Sequence, residues 1–162
     1  MFEMGSYVVC PGHGVGQIHN IEDKELGGEK KSYYDIKILA NGMKVMIPVD
    51  SQEGIRTLVS DNEISEVFSL LTDHDVDVDC STWNRRYREY MLKIKTGSLL
   101  EIAQVLRELF LLKINKNLSF GERKLLDQCR DLIAQEVAIS KGGEKVEVAR
   151  RIDACFGSFQ QL

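Results

Sequence analysis

Apolar side chains change their spacing once along the chain, near residue 60. Before that point the runs are short and β-branched or aromatic: SYVVC, the punctuation PGHGVG, then QIHNI, in which apolar and polar residues alternate at a period of two. LGGEKK reads as another turn and SYYDIKIL as a third strand. ANGM carries an Asn-Gly pair that favours a two-residue hairpin turn ahead of KVMIPV. Four or five short strands before residue 58 predict a small SH3-like or Tudor-like barrel. Pro48 places the last strand at an edge, because a central strand would lose a ladder hydrogen bond there.

From residue 60 onward the period is that of helices, and three Ser-x-x-Glu capping boxes mark helix starts. Ser60 with Glu63 opens a helix whose Ile64, Val67, Phe68 and Leu71 share a face. Ser98 with Glu101 opens another that turns Ile102, Val105, Leu106, Leu109 and Leu112 inward. Ser119 with Glu122 opens one that carries Leu125, Leu126, Cys129, Leu132, Ile133 and Val137. A last helix follows Gly142 and Gly143 and runs to about Phe156. With WNRRYREYMLKIK, residues 83–95, the count is about five. The expected class is α+β: a β-barrel module over 1–58, then a compact all-helical domain over 59–162.

At 100° per residue, Trp83, Tyr87, Tyr90, Met91 and Ile94 fall on one face of the 83–95 helix. Arg85, Arg88 and Lys95 border that face on one side, Arg86 and Lys93 on the other. Cys80, Ser81 and Thr82 offer an N-cap, which puts Trp83 in the first turn, where a side chain can project past the helix end. Tyr87, Met91 and Ile94 read as core. Trp83 reads either as a buried anchor or as an exposed contact residue.

Charge changes this picture. The net charge of -4 conceals segments of -2 over 1–58, -7 over 59–82, +6 over 83–124 and -1 over 125–162. A basic block inside an acidic chain is the footprint of a polyanion contact, or else a set of solvated helix faces. A wedge such as Trp83 can enter a minor-groove base step while neighbouring arginines hold phosphates without reading sequence. No basic leader precedes an apolar stretch and no run reaches the roughly 18 apolar residues of a membrane span, so a cytoplasmic protein is expected. Cys10, Cys80, Cys129 and Cys155 are far apart, form no CxxC, and read as free thiols.

Enzymatic readings find little support. The glycines of PGHGVG precede another strand rather than a helix and contain no Lys-Ser/Thr, so they read as tight turns, not a phosphate loop. Cys10, His13 and His19 make three ligands without a fourth. Asp73, Asp75, Asp77 and Asp79 alternate in TDHDVDVD but lack the glycine and terminal glutamate of an EF-hand, which leaves a solvated acidic linker. No cofactor is implied, and a monomer is expected.

Taken in order from about residue 4 to 156, VVCPGHGVG, NGMKVMIPV, GIRTLVS, TWNRRYREYMLKIKTG, AQVLREL and LSFGERKLLDQCRDLI resemble the CarD/CdnL family of bacterial RNA polymerase-binding transcription regulators. The likeness is to its short CdnL-like branch, since no basic, proline-rich tail follows, and the helicase motifs of transcription-repair coupling factors are absent. The resemblance implies a Tudor-like domain that docks on the polymerase β subunit and a helical domain that meets promoter DNA. It implies a minor-groove wedge at Trp83 on the upstream edge of the melted region, backbone contacts at Arg85, Arg86 and Arg88, and a second basic site at Arg123 and Lys124. The docking strand corresponds to Val45, Met46, Ile47, Pro48 and Val49. Lys24 lies where some relatives carry a supporting arginine, and Met46 replaces an arginine found in others. The expected function is stabilisation of the open promoter complex, at ribosomal RNA promoters among others. The alternative is a protein-interaction adaptor that uses an exposed β edge without DNA contact.

Overall fold

The structure is a computed structural model that describes residues 2–51, 54–78 and 81–157; Asp79 and Cys80 lie outside the described residues. The chain divides into two compact units, Met1–Leu58 and Val59–Leu162.

Four antiparallel strands, β1 (Tyr7–Cys10), β2 (Gly14–Leu26), β3 (Glu29–Ile38) and β4 (Lys44–Pro48), form one sheet in chain order. The sheet curls around Val8, Cys10, Ile18, Tyr34, Ile36 and Ile38, giving the SH3-like, Tudor-like half-barrel expected of this pattern. Arg56 pairs back onto Val9 through two backbone hydrogen bonds of 2.9 and 3.0 Å, which covers the free side of β1 at that point. Two glycines are required by the geometry. Gly27 and Gly28 both have positive φ, 61° and 83°, and link β2 to β3 in a two-residue turn, so LGGEKK is mostly strand.

Two local readings are corrected. The Asn-Gly pair does not make a two-residue turn: Leu39 to Met43 form a five-residue loop between β3 and β4. The two-residue turn favoured by Asn-Gly needs positive φ at both residues, and here only Gly42 has it, at 71°. The Asn41 carboxamide instead accepts the Met43 N–H at 2.9 Å. QIHNI is not a simple alternation either, because Ile18 and Ile21 are three apart. A register shift between Ile18 and Asn20 inserts one residue, so that Ile18 pairs with Ile36 and Ile21 with Tyr34 and both isoleucines pack on the core.

The second unit holds α1 (Asp61–Thr72), α2 (Trp83–Lys95), α3 (Leu99–Asn115), α4 (Phe120–Lys141) and α5 (Lys145–Ala154). α3 buries Ile102, Ala103, Val105, Leu106, Leu109 and Phe110 and lies among α1, α2 and α4. Full capping boxes form at Ser60/Glu63 and Ser119/Glu122. At Ser98 only half of one forms, since the Glu101 carboxylate accepts from the Thr96 hydroxyl instead of returning to the cap. Glu136, buried on α4, accepts the Val59 N–H at 2.9 Å, and the Ser140 hydroxyl donates to the Val59 carbonyl at 2.8 Å, fastening the start of this unit to its longest helix. No described helix is long and apolar enough to cross a membrane. Cys10 and Cys129 are buried free thiols, and burial pushes Cys10 up to about 11 and Cys129 up to about 12. Cys155 is also free and half-buried.

Gly16 leaves no room for a side chain against β3. A Cβ there would lie 2.5 Å from Ile36 Cγ2 and 3.2 Å from the Lys37 carbonyl oxygen. Gly16→Ala is therefore expected to destabilise the β unit by about 1–3 kcal/mol. In denaturant titrations followed by circular dichroism the strand signal should be lost earlier, with the Trp83 fluorescence transition of the helical unit unchanged.

Candidate nucleic-acid interface and docking edge

α2 carries too little side-chain capping to fix its own start. Thr82 occupies the N-cap position but its hydroxyl makes no cap hydrogen bond, contrary to the expectation for Cys80–Thr82. Arg86 closes the turn instead: its Nε donates to the Ser81 carbonyl at 3.0 Å. The same guanidinium donates through Nη1 and Nη2 to Glu122 Oε2, both at 3.2 Å. Glu122 Oε1 accepts the Ser119 N–H at 3.0 Å and Lys116 Nζ at 3.2 Å. One carboxylate thus caps α4 and anchors α2.

This departs from the expected placement of Arg86. It is only 5% exposed and points inward, so it does not border an outer aromatic face, and its guanidinium is engaged by Glu122 and the Ser81 carbonyl. The buried face of α2 runs through Arg86, Tyr90 and Ile94, while Tyr87, expected in the core, is exposed. The wheel is rotated toward Arg86 because the partner helix supplies a carboxylate at that spot, which no pattern within 83–95 reveals.

Trp83 is half-buried. Its ring lies 5.5 Å from that of Tyr87 and 6.3 Å from that of Tyr90, with the Arg86 guanidinium carbon 5.4 Å from its centroid. Beneath it is Gly121, where a Cβ would stand 3.3 Å from Trp83 Cζ2. The indole is therefore both a packed and a partly exposed group, held in one orientation by α2 and α4 together. Arg85 and Arg88 are exposed on α2, and Arg123 and Lys124 are exposed on α4 two and three residues beyond Gly121. The two basic segments, 35 residues apart in sequence from Arg88 to Arg123, are thus joined through the Trp83–Gly121 contact and the Arg86–Glu122 pair. Phe120, next to Gly121 and 75% exposed, is a member of this rim that the sequence reading passed over. An aromatic at the first position of a helix, outside its apolar stripe, was the available signal.

The β unit presents a different feature. Ile38 N–H donates to the Met43 carbonyl and Val49 N–H to the Ser32 carbonyl, at 2.8 and 3.0 Å. With the antiparallel register between them, the alternation of the ladder turns the backbone groups of Val45, Ile47 and Val49 toward β3 and those of Lys44, Met46 and Pro48 toward the open side. The side chains of Val45, Ile47 and Val49 pack on the β core. The open edge therefore offers the N–H and C=O of Lys44 and Met46, and it ends at Pro48, which has no N–H. Lys24 Nζ reaches across to Met46 Sδ at 3.3 Å, bringing two of the anticipated docking residues together.

The remaining candidates are unremarkable in geometry. Among the described residues no three His, Cys, Asp or Glu side chains cluster as metal ligands. Cys10 ends β1, His13 sits in the following turn and His19 at the register shift of β2. Asp75 and Asp77 are exposed, while Arg107 holds the Leu70 and Asp73 carbonyls at 3.2 and 3.3 Å and straps the start of the acidic segment to α3.

Comparison with known proteins agrees across both units. Residues 2–59 match the CarD-like/TRCF RID domain and residues 66–153 match the CarD C-terminal domain. The chain is 34% identical over 144 residues to a Bacillus subtilis (strain 168) protein named "Putative transcription factor YdeB", covering 88% of this chain and 94% of that protein. A solved structure, "CdnLNt from Myxoccoccus xanthus", is 40% identical, covers 38% of this chain and 89% of its own, and superposes with a TM-score of 0.33.

Burial alone would raise the proton affinity of Glu122, but the Ser119 main chain and side chain, Lys116 and Arg86 outweigh it and hold the carboxyl at about 2, from an ordinary value of 4.5. Such a group adds stability that is fully present above 4.5 and is lost as the pH falls toward about 2. The helical unit should accordingly unfold more easily across that window, and Glu122→Gln should flatten the pH dependence while lowering stability at neutral pH. Arg86→Ala should cost about 3–5 kcal/mol at pH 7, since it strands a buried carboxylate. Denaturant titration followed by Trp83 fluorescence measures all three.

Proposed function

This chain belongs to the CarD/CdnL family of transcription-associated regulators, and on that premise we propose that it binds the RNA polymerase β subunit and stabilises the open promoter complex. The observation that carries the proposal is the meeting of two basic segments at a fixed, half-exposed tryptophan. In this reading Arg85, Arg88, Arg123 and Lys124 hold phosphates on either side of the duplex edge. Trp83 abuts the base step at the upstream boundary of the melted region, where unstacking is already favoured. Arg86 serves as a positioning residue, fixing the indole through Glu122 rather than touching DNA.

The β unit supplies the docking arm. A strand of the polymerase β subunit adds to the open side of β4 through the backbone of Lys44 and Met46, with Lys24 beside them. Val45, Ile47 and Val49 support this edge from within. The division of labour follows from chemistry: backbone pairing fixes the protein on polymerase independently of promoter sequence, and phosphate and wedge contacts respond to the state of the DNA. The supporting facts are the family membership, the match of residues 2–59 to the domain shared with transcription-repair coupling factors, and the open edge.

Two substitutions separate the arms. Trp83→Ala should shorten the lifetime of an open complex on a ribosomal RNA-type promoter by roughly tenfold, the loss expected for one stacked aromatic worth about 1–3 kcal/mol, with polymerase binding retained. Met46→Pro removes an outward N–H at an edge position that tolerates proline and should weaken binding to the β subunit by about tenfold, one charge-free hydrogen bond plus misfit of its neighbour. Competition dissociation assays and pull-down with the β subunit read the two effects. An open-complex lifetime unchanged by this protein, despite polymerase binding, would favour the adaptor reading.

A further inference from the structure

Among the described residues no large apolar side chain is more exposed than Phe120, at 75%. It occupies the first position of α4, immediately before Gly121, the residue on which the Trp83 ring rests. Side chains of a helix lean toward its N-terminus, and no preceding turn covers the first one, so the phenyl ring stands clear of the helix end. Arg123 and Lys124, three and four residues on, share its side of the helix and are exposed. The inward side is taken by Glu122, Leu125 and Leu126. An unburied phenyl group flanked by cations and adjoining a second aromatic suits a ligand that is anionic and carries flat rings.

We propose that Phe120 stacks on an unpaired nucleobase at the edge of melted DNA, beside the base step that Trp83 abuts, so that this rim recognises a junction of duplex and single strand rather than continuous duplex. This rests on the promoter-DNA reading of the preceding section. Bases in a continuous duplex already have both faces occupied by their neighbours, so a free-standing phenyl ring gains little there. An unpaired base has an open π-face, and stacking on an aromatic is indifferent to its identity. The two aromatics differ in a way that matches two tasks. Trp83 is held by Tyr87, Tyr90, Arg86 and Gly121 and is stiff enough to abut a base step. Among the described residues no ring or cation contact holds Phe120, so nothing of that kind has to be displaced when it meets a base that has left the stack.

The test uses the full chain with its polymerase on a promoter carrying 2-aminopurine at the first unpaired positions of the upstream edge, where stacking quenches fluorescence. The wild-type chain should quench the probe in the open complex and leave it unaffected in a fully duplex control. Phe120→Ala should abolish that quenching and shorten the open complex lifetime about fivefold or more, while Phe120→Tyr should retain both. Thermal melts should be unchanged, because the ring buries little. If Phe120→Ala leaves quenching and lifetime intact while Trp83→Ala shortens the lifetime, this inference is overturned and the promoter reading stands. If Phe120→Tyr fails to preserve the effect, or Phe120→Ala acts by weakening polymerase binding, stacking is likewise refuted. If neither Trp83→Ala nor Phe120→Ala changes the lifetime, the reading on which the inference rests falls with it.

Discussion

The buried pair of Arg86 and Glu122 is the contact on which the functional end of the helical unit depends. Placing two charges at 5% and 2% exposure carries a desolvation penalty of several kcal/mol per ion, which only near-complete hydrogen bonding offsets. That condition is met: both guanidinium Nη groups reach one carboxylate oxygen, Nε finds the Ser81 carbonyl, and the other carboxylate oxygen takes Ser119 N–H and Lys116. A well-packed apolar pair would hold the helices together about as strongly. It would not fix which turn of α2 faces the first turn of α4, because apolar contacts are not directional. Sliding α2 by one turn would leave the carboxylate buried without its guanidinium, at a cost of about 3–5 kcal/mol. The ion pair therefore sets register, and register sets where Trp83 lies relative to Gly121, Arg123 and Lys124.

The β unit shows the same economy by other means. Its core has few large side chains, so the register of β2 has to bring Ile18 and Ile21 inward together, and the inserted residue at His19 does so. On the far side of the sheet, β4 turns Val45 and Ile47 toward the core and leaves two residues of backbone facing outward. An edge of that length is too short to propagate pairing between copies, and Pro48 terminates it. In the proposed docking, a partner strand would be limited to that length.

Much of this was legible along the chain, and the exceptions have physical reasons. The change from period two to period 3.6, the Ser60 and Ser119 capping boxes and the edge position of Pro48 are local properties, and local geometry fixes them. The hairpin at Asn41-Gly42 was misread because the Asn41 side chain preferred to cap Met43 in a longer loop. The half-formed box at Ser98 failed for a similar reason, the Thr96 hydroxyl competing for Glu101. Arg86 was expected at the surface of α2, but its environment is made by a residue 36 positions away. A charged side chain on a basic helix looks like surface until its partner is known. The joining of Arg85 and Arg88 to Arg123 and Lys124 is equally non-local. Phe120 was overlooked because an isolated aromatic outside a stripe carries no periodic signal.

The low overall charge fits the proposed arrangement better than a strongly basic protein would. Four exposed cations, Arg85, Arg88, Arg123 and Lys124, neutralise at most about four phosphates, and contacts of that kind alone give dissociation constants of roughly 10⁻⁴ to 10⁻⁶ M at physiological salt. If those cations contact DNA as proposed, a chain with net charge -4 would sit at the weak end of that range and resist sequestration by bulk DNA. In the proposed arrangement, docking on polymerase would change the arithmetic, because tethering raises the effective concentration of a second contact to about the millimolar range. A contact too weak to hold free duplex would then be close to saturated where polymerase has opened the DNA. Strengthening the rim with further cations would raise affinity for closed and open DNA alike and so shift no equilibrium between them, since only differential affinity does. In the proposed reading, aromatic contacts that require an unstacked base would supply that difference, which a rim of phosphate-binding cations alone would not.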